Sequence, residues 1–129
     1  MDISGLNLLL VEDNELNAEI AETLLSDEGA NLIVAEDGLQ AVRMFQEKPE
    51  GYFDAILMDI MMPVMDGITA TKTIRSLKHP DADTIPIIAM TANAFREDKE
   101  KCLAAGMNAH LAKPIKIENI KRILCEYCV

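Results

Sequence analysis

Phe53-Asp54-Ala55-Ile56-Leu57-Met58-Asp59-Ile60-Met61-Met62-Pro63 is the stretch that decides how this chain folds. Residues 55–58 form an unbroken apolar run with no polar alternation, short enough for a strand buried on both faces. Pro63, Asp66 and Gly67 follow as loop and turn residues. The run ends on a carboxylate, Asp59. An acid at the end of a buried central strand has two readings. It is either a loop or capping residue, the ordinary role of a lone Asp, or a reactive or metal-binding carboxylate. The rest of the chain separates the two.

Outward from this stretch, strand and helix patterns alternate. Asn7–Val11 reads as a strand and is followed at once by Glu12-Asp13-Asn14. A helix pattern starts at Asn14, a fair N-cap, with Leu16, Ile20, Ala21, Leu24 and Leu25 expected on its inward face, and Gly29 ends it. Asn31–Ala35 is a second strand, and Asp37-Gly38 turns into a helix that carries Val42 and Phe45 inward and stops before Pro49. After the central strand, Asp66-Gly67 opens a helix with Ile68, Thr71, Ile74 and Leu77. Strand four is expected over 86–90, a helix over 94–105, a short strand over 108–112 and a last helix carrying Ile117, Ile120, Ile123, Leu124 and Tyr127. Five strands alternating with five helices predict an α/β fold with a five-stranded parallel sheet and helices on both faces. The common order for such a doubly wound, flavodoxin-like sheet is 2-1-3-4-5, with the ligand crevice between strands 1 and 3.

All strands of a parallel sheet point one way, so the residues that follow them collect at one edge. Glu12 and Asp13 leave strand 1 and Asp59 leaves strand 3, so the three carboxylates meet across the crevice. Thr91 leaves strand 4, and Lys113 leaves strand 5, roughly 10 Å away at the usual strand spacing. At about 5 Å and an effective dielectric near 20, each carboxylate pair repels by about 3 kcal/mol. A purely structural origin does not account for such a cluster. It suits a hard cation, and carboxylate oxygens together with a phosphate oxygen suit Mg²⁺. Thr91 offers a hydroxyl, Ala92 a backbone N–H and Lys113 a point charge, the parts needed to hold the oxygens of a transferring phosphoryl group. Asp59 is the central candidate for the accepting atom. Taken one at a time, Asp13 and Thr91 read equally well as helix caps and Lys113 as a solvated loop lysine; their convergence on one edge favours the site.

Composition narrows the partners. The 129 residues suffice for one domain, 1–129 with a core over about 6–127, and half are apolar. The formal net charge of −10 argues against direct nucleic-acid binding and fits a cation or a basic partner. No apolar run approaches the ~20 residues of a membrane span, and Met1-Asp2-Ile3-Ser4-Gly5 lacks the basic start of a secretory signal. An odd cysteine count points to a reducing, cytoplasmic compartment. Cys125 and Cys128 have CxxC spacing, yet no second pair completes a zinc site and no strand precedes them as a redox motif requires.

Glu12-Asp13, Asp59 within Leu57-Met58-Asp59-Ile60-Met61-Met62-Pro63-Val64-Met65-Asp66-Gly67, Met90-Thr91-Ala92 and Lys113-Pro114 together resemble the receiver domains of two-component response regulators. The likeness runs from about Leu6 to Tyr127. The wording Val11-Glu12-Asp13-Asn14-Glu15-Leu16-Asn17, with Met90-Thr91-Ala92-Asn93-Ala94 and Ala105-Gly106-Met107-Asn108, is most similar to receivers of hybrid sensor histidine kinases. The resemblance implies that Asp59 is the phosphoacceptor, that Glu12, Asp13, Asp59 and the Met61 carbonyl serve Mg²⁺, and that Thr91, Ala92, Lys113 and Pro114 bind or switch with the phosphoryl group. The donor it implies is the phosphohistidine of a sensor histidine kinase or histidine phosphotransfer domain. It further implies a signalling surface built by the fourth helix, fifth strand and fifth helix, open to a phosphorylation-dependent dimer. Met61 and Asn93, two residues after the phosphoacceptor and the switch threonine, flank the path of a hydrolytic water. One position departs from the pattern: His110 stands where many members carry a switch Tyr or Phe. In this reading the chain is no enzyme beyond its own phosphorylation and dephosphorylation. It is either a stand-alone regulator or a segment of a hybrid kinase.

Two rivals come from other classes. A phosphohydrolase of the haloacid-dehalogenase type wants a second Asp two residues after the nucleophile, where this chain has Met61. A flavodoxin-type cofactor binder wants a glycine- or hydroxyl-rich phosphate loop after the first strand, where this chain has Glu12-Asp13-Asn14.

Overall fold

A computed structural model describes residues 3–91, 96–113 and 115–128, apart from the side chains of 96–98. The elements in chain order are β1 (Asn7–Val11), α1 (Glu15–Asp27), β2 (Asn31–Ala35), α2 (Gly38–Glu47), β3 (Ala55–Asp59), α3 (Gly67–Ser76), β4 (Ile87–Thr91), α4 (Arg96–Ala105), β5 (Ala109–Ala112) and α5 (Ile117–Cys128). All strand pairs are parallel and the sheet order is β2-β1-β3-β4-β5, the order expected from the alternation. Strands β3, β4 and β5 are each displaced by one residue or less at an end from the segments expected on sequence; the larger consequence is that Asp59 belongs to β3 itself.

The helices begin where short polar side chains can satisfy their first free N–H groups. Asn14, Asp37 and Asp66 each accept a hydrogen bond from the backbone N–H three residues on. Successive strand residues then point to opposite faces and meet different helices. Leu9, Ile56, Met58, Ile87 and Ala89 pack with Phe45 of α2, Ile74 of α3 and Cys102 of α4. Leu8, Leu10, Leu57, Ile88, Met90 and Leu111 pack with Leu25 of α1 and Ile120 and Leu124 of α5. β3 and β4 are buried at every position, which is why their sequences show no alternation.

α1 corrects one expectation. Its buried residues are Ala18, Ala21 and Leu25, while Leu16 and Ile20 are 65% and 51% exposed. At 3.6 residues per turn, Leu16 and Ile20 lie about half a turn away from Ala18 and Leu25. Ala21 and Leu25 pack in the core cluster with the strands, and Leu16 and Ile20 are left on the outer face.

Gly67 is required by close approach. Gly67 starts α3 with its N–H donating to the Ile60 carbonyl at 3.0 Å. A Cβ added there would lie well inside van der Waals contact of the Asp59 carbonyl oxygen, a backbone atom that cannot turn aside. Gly67→Ala is therefore expected to lower unfolding free energy by about 2–3 kcal/mol, read as a shift in the denaturant midpoint. A parental midpoint would show that α3 moves off the strand without cost.

Candidate functional site

The register of the sheet builds the site. Val11 pairs Met58, Asp59 pairs Met90 and Thr91 pairs Ala112, so β1, β3, β4 and β5 end at nearly one level. Three backbone bonds extend the ladder past the strand ends: Glu12 N–H to Ala35 O at 3.0 Å, Ile60 N–H to Met90 O at 3.2 Å and Lys113 N–H to Thr91 O at 2.8 Å. Glu12 and Asp59 are 4% and 3% exposed, whereas Asp13 is exposed. Carboxylate oxygens of all three lie within 4.8 Å of one another.

Lys113 crosses the gap from β5 and inserts its ammonium between the two buried acids, 2.9 Å from Glu12 Oε2 and 3.0 Å from Asp59 Oδ2. The other oxygens accept backbone donors: Glu12 Oε1 from the Asn14 N–H at 3.1 Å, and Asp59 Oδ1 from the Met61 N–H at 3.2 Å. The repulsion expected between Glu12 and Asp59 is thus offset by a shared cation, while three carboxylates against one ammonium still leave negative charge in excess. Burial pushes the Glu12 carboxyl above its usual range and Asp59 adds to this, against the opposing pull of Lys113 and the Asn14 N–H. For Lys113, burial acts to lower the ammonium's pKa, but the hydrogen bonds and charges of Glu12 and Asp59 outweigh it and raise the net value. The lysine is therefore charged.

The donor set fits a hard divalent cation. Carboxylate oxygens converge within one coordination sphere, and exposed Asp13 keeps one side open for water or a phosphate oxygen, as Mg²⁺ prefers. Thr91 is buried at the end of β4, one strand from Asp59. Met61 is 78% exposed beside the acids, and Val64, equally exposed, sits at φ 68°, a conformation costly for a β-branched residue. Ala92, Asn93 and Pro114 lie outside the described residues. His110 lies beside Ala89, on the α3 and α4 side of the sheet; its Nε2 is buried with no hydrogen-bond partner among the described residues. Burial, with the Lys99 charge adding to it, holds its imidazole below the ordinary range.

Two features were missed on sequence. A cavity of about 320 Å³ runs from Glu12 and Lys113 along α1, lined also by Asn17, Ile20, Ala21 and Ile115. The apolar spacing of Leu16 and Ile20 was its only signal, and that spacing also fits a core face. The second is a set of polar contacts around Asn108, which no local pattern announces. The cysteine pair at the end of α5 shows no sign of activation: burial, with Asp54 and Cys125 adding to it, pushes the Cys128 thiol up to about 11.

A parallel sheet in this order, with buried acids and a lysine gathered at the ends of its strands, defines a flavodoxin-like domain of the phosphoacceptor-signalling class. The family model described as response regulator receiver domain matches residues 8–124, and the chain belongs to that family. It is a receiver domain of two-component phosphorelay systems, a signalling domain found in hybrid histidine kinases and response regulators. Similar solved structures include the receiver domain of sensor histidine kinase PA1611 from Pseudomonas aeruginosa PAO1, with magnesium coordinated in its active site cleft. That structure has 44% identity, a TM-score of 0.86, and coverage of 97% of this chain and 98% of that one. The Saccharomyces cerevisiae receiver domain of Ssk1, crystallised with the histidine phosphotransfer protein Ypd1, is 30% identical with a TM-score of 0.83, over 97% of this chain and 90% of that one. Signal transduction histidine-protein kinase BarA of Escherichia coli (strain K12) is 41% identical over 95% of this chain, which spans 13% of that protein's length. Among the described residues no helix is long and apolar enough to cross a membrane.

Proposed function

We propose that Asp59 accepts a phosphoryl group from a phosphohistidine of a sensor histidine kinase or histidine phosphotransfer domain, with Mg²⁺ held by Glu12, Asp13, Asp59 and the Met61 carbonyl. The observation that carries this reading is the Asp59–Lys113–Glu12 set, with both its acids buried, opening to solvent through Asp13. An Asp59 carboxylate oxygen forms the new O–P bond as the N–P bond of the donor breaks, and the imidazole leaves with the bonding pair. Lys113 holds a charge on the transferring oxygens, and the Met61 N–H keeps the Asp59 carboxylate turned toward the crevice. When bound, the magnesium ion supplies the positive charge that the excess carboxylates call for. Thr91 and Ala92 receive the remaining phosphoryl oxygens, and Met61 and Asn93 border the path of a hydrolytic water.

The partner docks over the crevice on Leu16, Ile20, Met61 and Val64, apolar side chains exposed on α1 and on the loop after β3. The class of partner, though not the face it uses, is supported by the phosphotransfer protein crystallised with the Ssk1 receiver. The domain acts as one unit over 1–129 in a cytoplasmic setting and catalyses only its own phosphoryl uptake and loss. Output passes through α4, β5 and α5, where a phosphorylation-dependent dimer also forms; His110 and the residues around Pro114 take part in the change. The Nε2 of His110, buried with no partner among the described residues, supports that part, since such a nitrogen favours a second arrangement that gives it one.

The test is transfer from a phosphorylated histidine phosphotransfer protein. The expected result is one phosphoryl mass per chain, labile to hydroxylamine as an acyl phosphate is, and abolished by EDTA. Repeated release of phosphate from many small esters, with no adduct accumulating, would instead support the hydrolase reading.

A further inference from the structure

We infer that Asn108, braced by Arg75, is a positioning residue for Lys113, an inference that rests on reading Lys113 as the group that holds the phosphoryl oxygens. β5 has four residues and pairs only with β4, so it is a short edge strand whose ladder alone specifies its register weakly. Its start is fixed by a side chain. Asn108 donates its N–H to Ile87 O at 2.8 Å, and its Oδ1 accepts the Ile87 N–H at 2.9 Å. The side-chain amide oxygen thus stands in for the strand carbonyl that β5 does not provide, and both polar groups of Ile87 are held by one residue.

Arg75 of α3 braces this clamp. Its Nη2 donates to Asn108 Oδ1 at 3.0 Å and to Gly106 O at 2.7 Å, its Nε also reaches Gly106 O at 3.1 Å, and its Nη1 donates to Ala82 O at 3.0 Å. From α5, the Tyr127 hydroxyl donates to Asn108 O at 2.9 Å. Asn108 is therefore tied to β4, α3 and α5 at the sheet edge opposite the crevice. Lys113 follows at the far end of β5. A slip of one residue would carry it about 3.3 Å along the strand and turn its side chain to the other face. Both contacts at 2.9 and 3.0 Å, to Glu12 and Asp59, depend on that not happening. Asp would preserve the clamp, since it keeps an acceptor at the same reach; Ala would not.

The test uses Asn108→Ala and Asn108→Asp with two readouts: the initial rate of phosphorylation by acetyl phosphate in saturating Mg²⁺, and the Lys113 side-chain resonance by NMR without metal. Asn108→Ala is expected to slow phosphorylation on the order of tenfold and to move the Lys113 resonance toward that of a solvated lysine, with Asn108→Asp restoring both. A folded Asn108→Ala protein with the parental Lys113 resonance, whatever its rate or melting temperature, overturns the inference. A moved resonance with an unchanged rate upholds the positioning and overturns the phosphoryl-holding role of Lys113. Should Asn108→Ala not fold, Arg75→Lys, which keeps the charge and removes the fork, decides by the same resonance: a move toward solvated lysine upholds the inference, and a parental signal overturns it.

Discussion

Asp59→Asn is expected to abolish phosphoryl uptake, lowering the rate from acetyl phosphate by at least about a thousandfold, a barrier increase of ~4 kcal/mol. The substitution is nearly isosteric and leaves a folded protein. The amide keeps one acceptor oxygen, for Lys113 or for the Met61 N–H but not for both, and Lys113 retains its contact with Glu12. The carboxylate lone pair proposed to attack phosphorus is gone, and an amide is no substitute nucleophile. One of three charges that draw the cation also goes. Intact-protein mass after incubation with the donor reads the loss directly. Uptake at the parental rate would move the acceptor to Glu12 or Asp13, both within the same cluster.

Lys113→Met separates holding the phosphoryl group from holding the metal. Its ammonium is the one cation seen against the buried acids among the described residues, and it faces where transferring oxygens would gather. Removing one such preorganised group typically costs on the order of a hundredfold in rate. Metal binding should move the other way or stay level, because a positive charge that repels Mg²⁺ has been removed. The side chain is partly exposed, so the loss of fold stability is smaller than for a fully buried pair. Phosphorylation rate and Mg²⁺ titration on the same sample give the answer. A parental rate at saturating Mg²⁺ would leave Lys113 a purely structural counterion.

The fold was legible because burial on both faces writes itself into composition. Runs such as Ile87-Ile88-Ala89-Met90 carry no polar alternation, so strand positions, parallel pairing and the edge shared by Glu12, Asp59 and Lys113 followed from a few segments. α1 was less legible because it is apolar on two sides. Periodicity reports a face but cannot say whether a sheet or solvent covers it, and Leu16 and Ile20 looked as much like core as Ala21 and Leu25, while buried Ala18 was not expected there. The bridging geometry of Lys113 was only half legible. Its reach could be estimated from strand spacing, but not its insertion between both acids. The Arg75–Asn108 contacts left no trace, since a side chain bonded to backbone some thirty positions away has no sequence period.

The outer face of α1 has an evolutionary consequence. Leu16 and Ile20 stand opposite the residues that seat the helix, so exchanging them leaves Ala18, Ala21 and Leu25 in place. Substitutions at such positions typically change stability by no more than about 0.5 kcal/mol. The carboxylates and Lys113 hang from the strand ends and are likewise untouched. On the docking face proposed above, duplicated copies of this domain would diverge in which kinase they obey through a few exchanges on one helix, with neither the chemistry nor the scaffold having to be rebuilt.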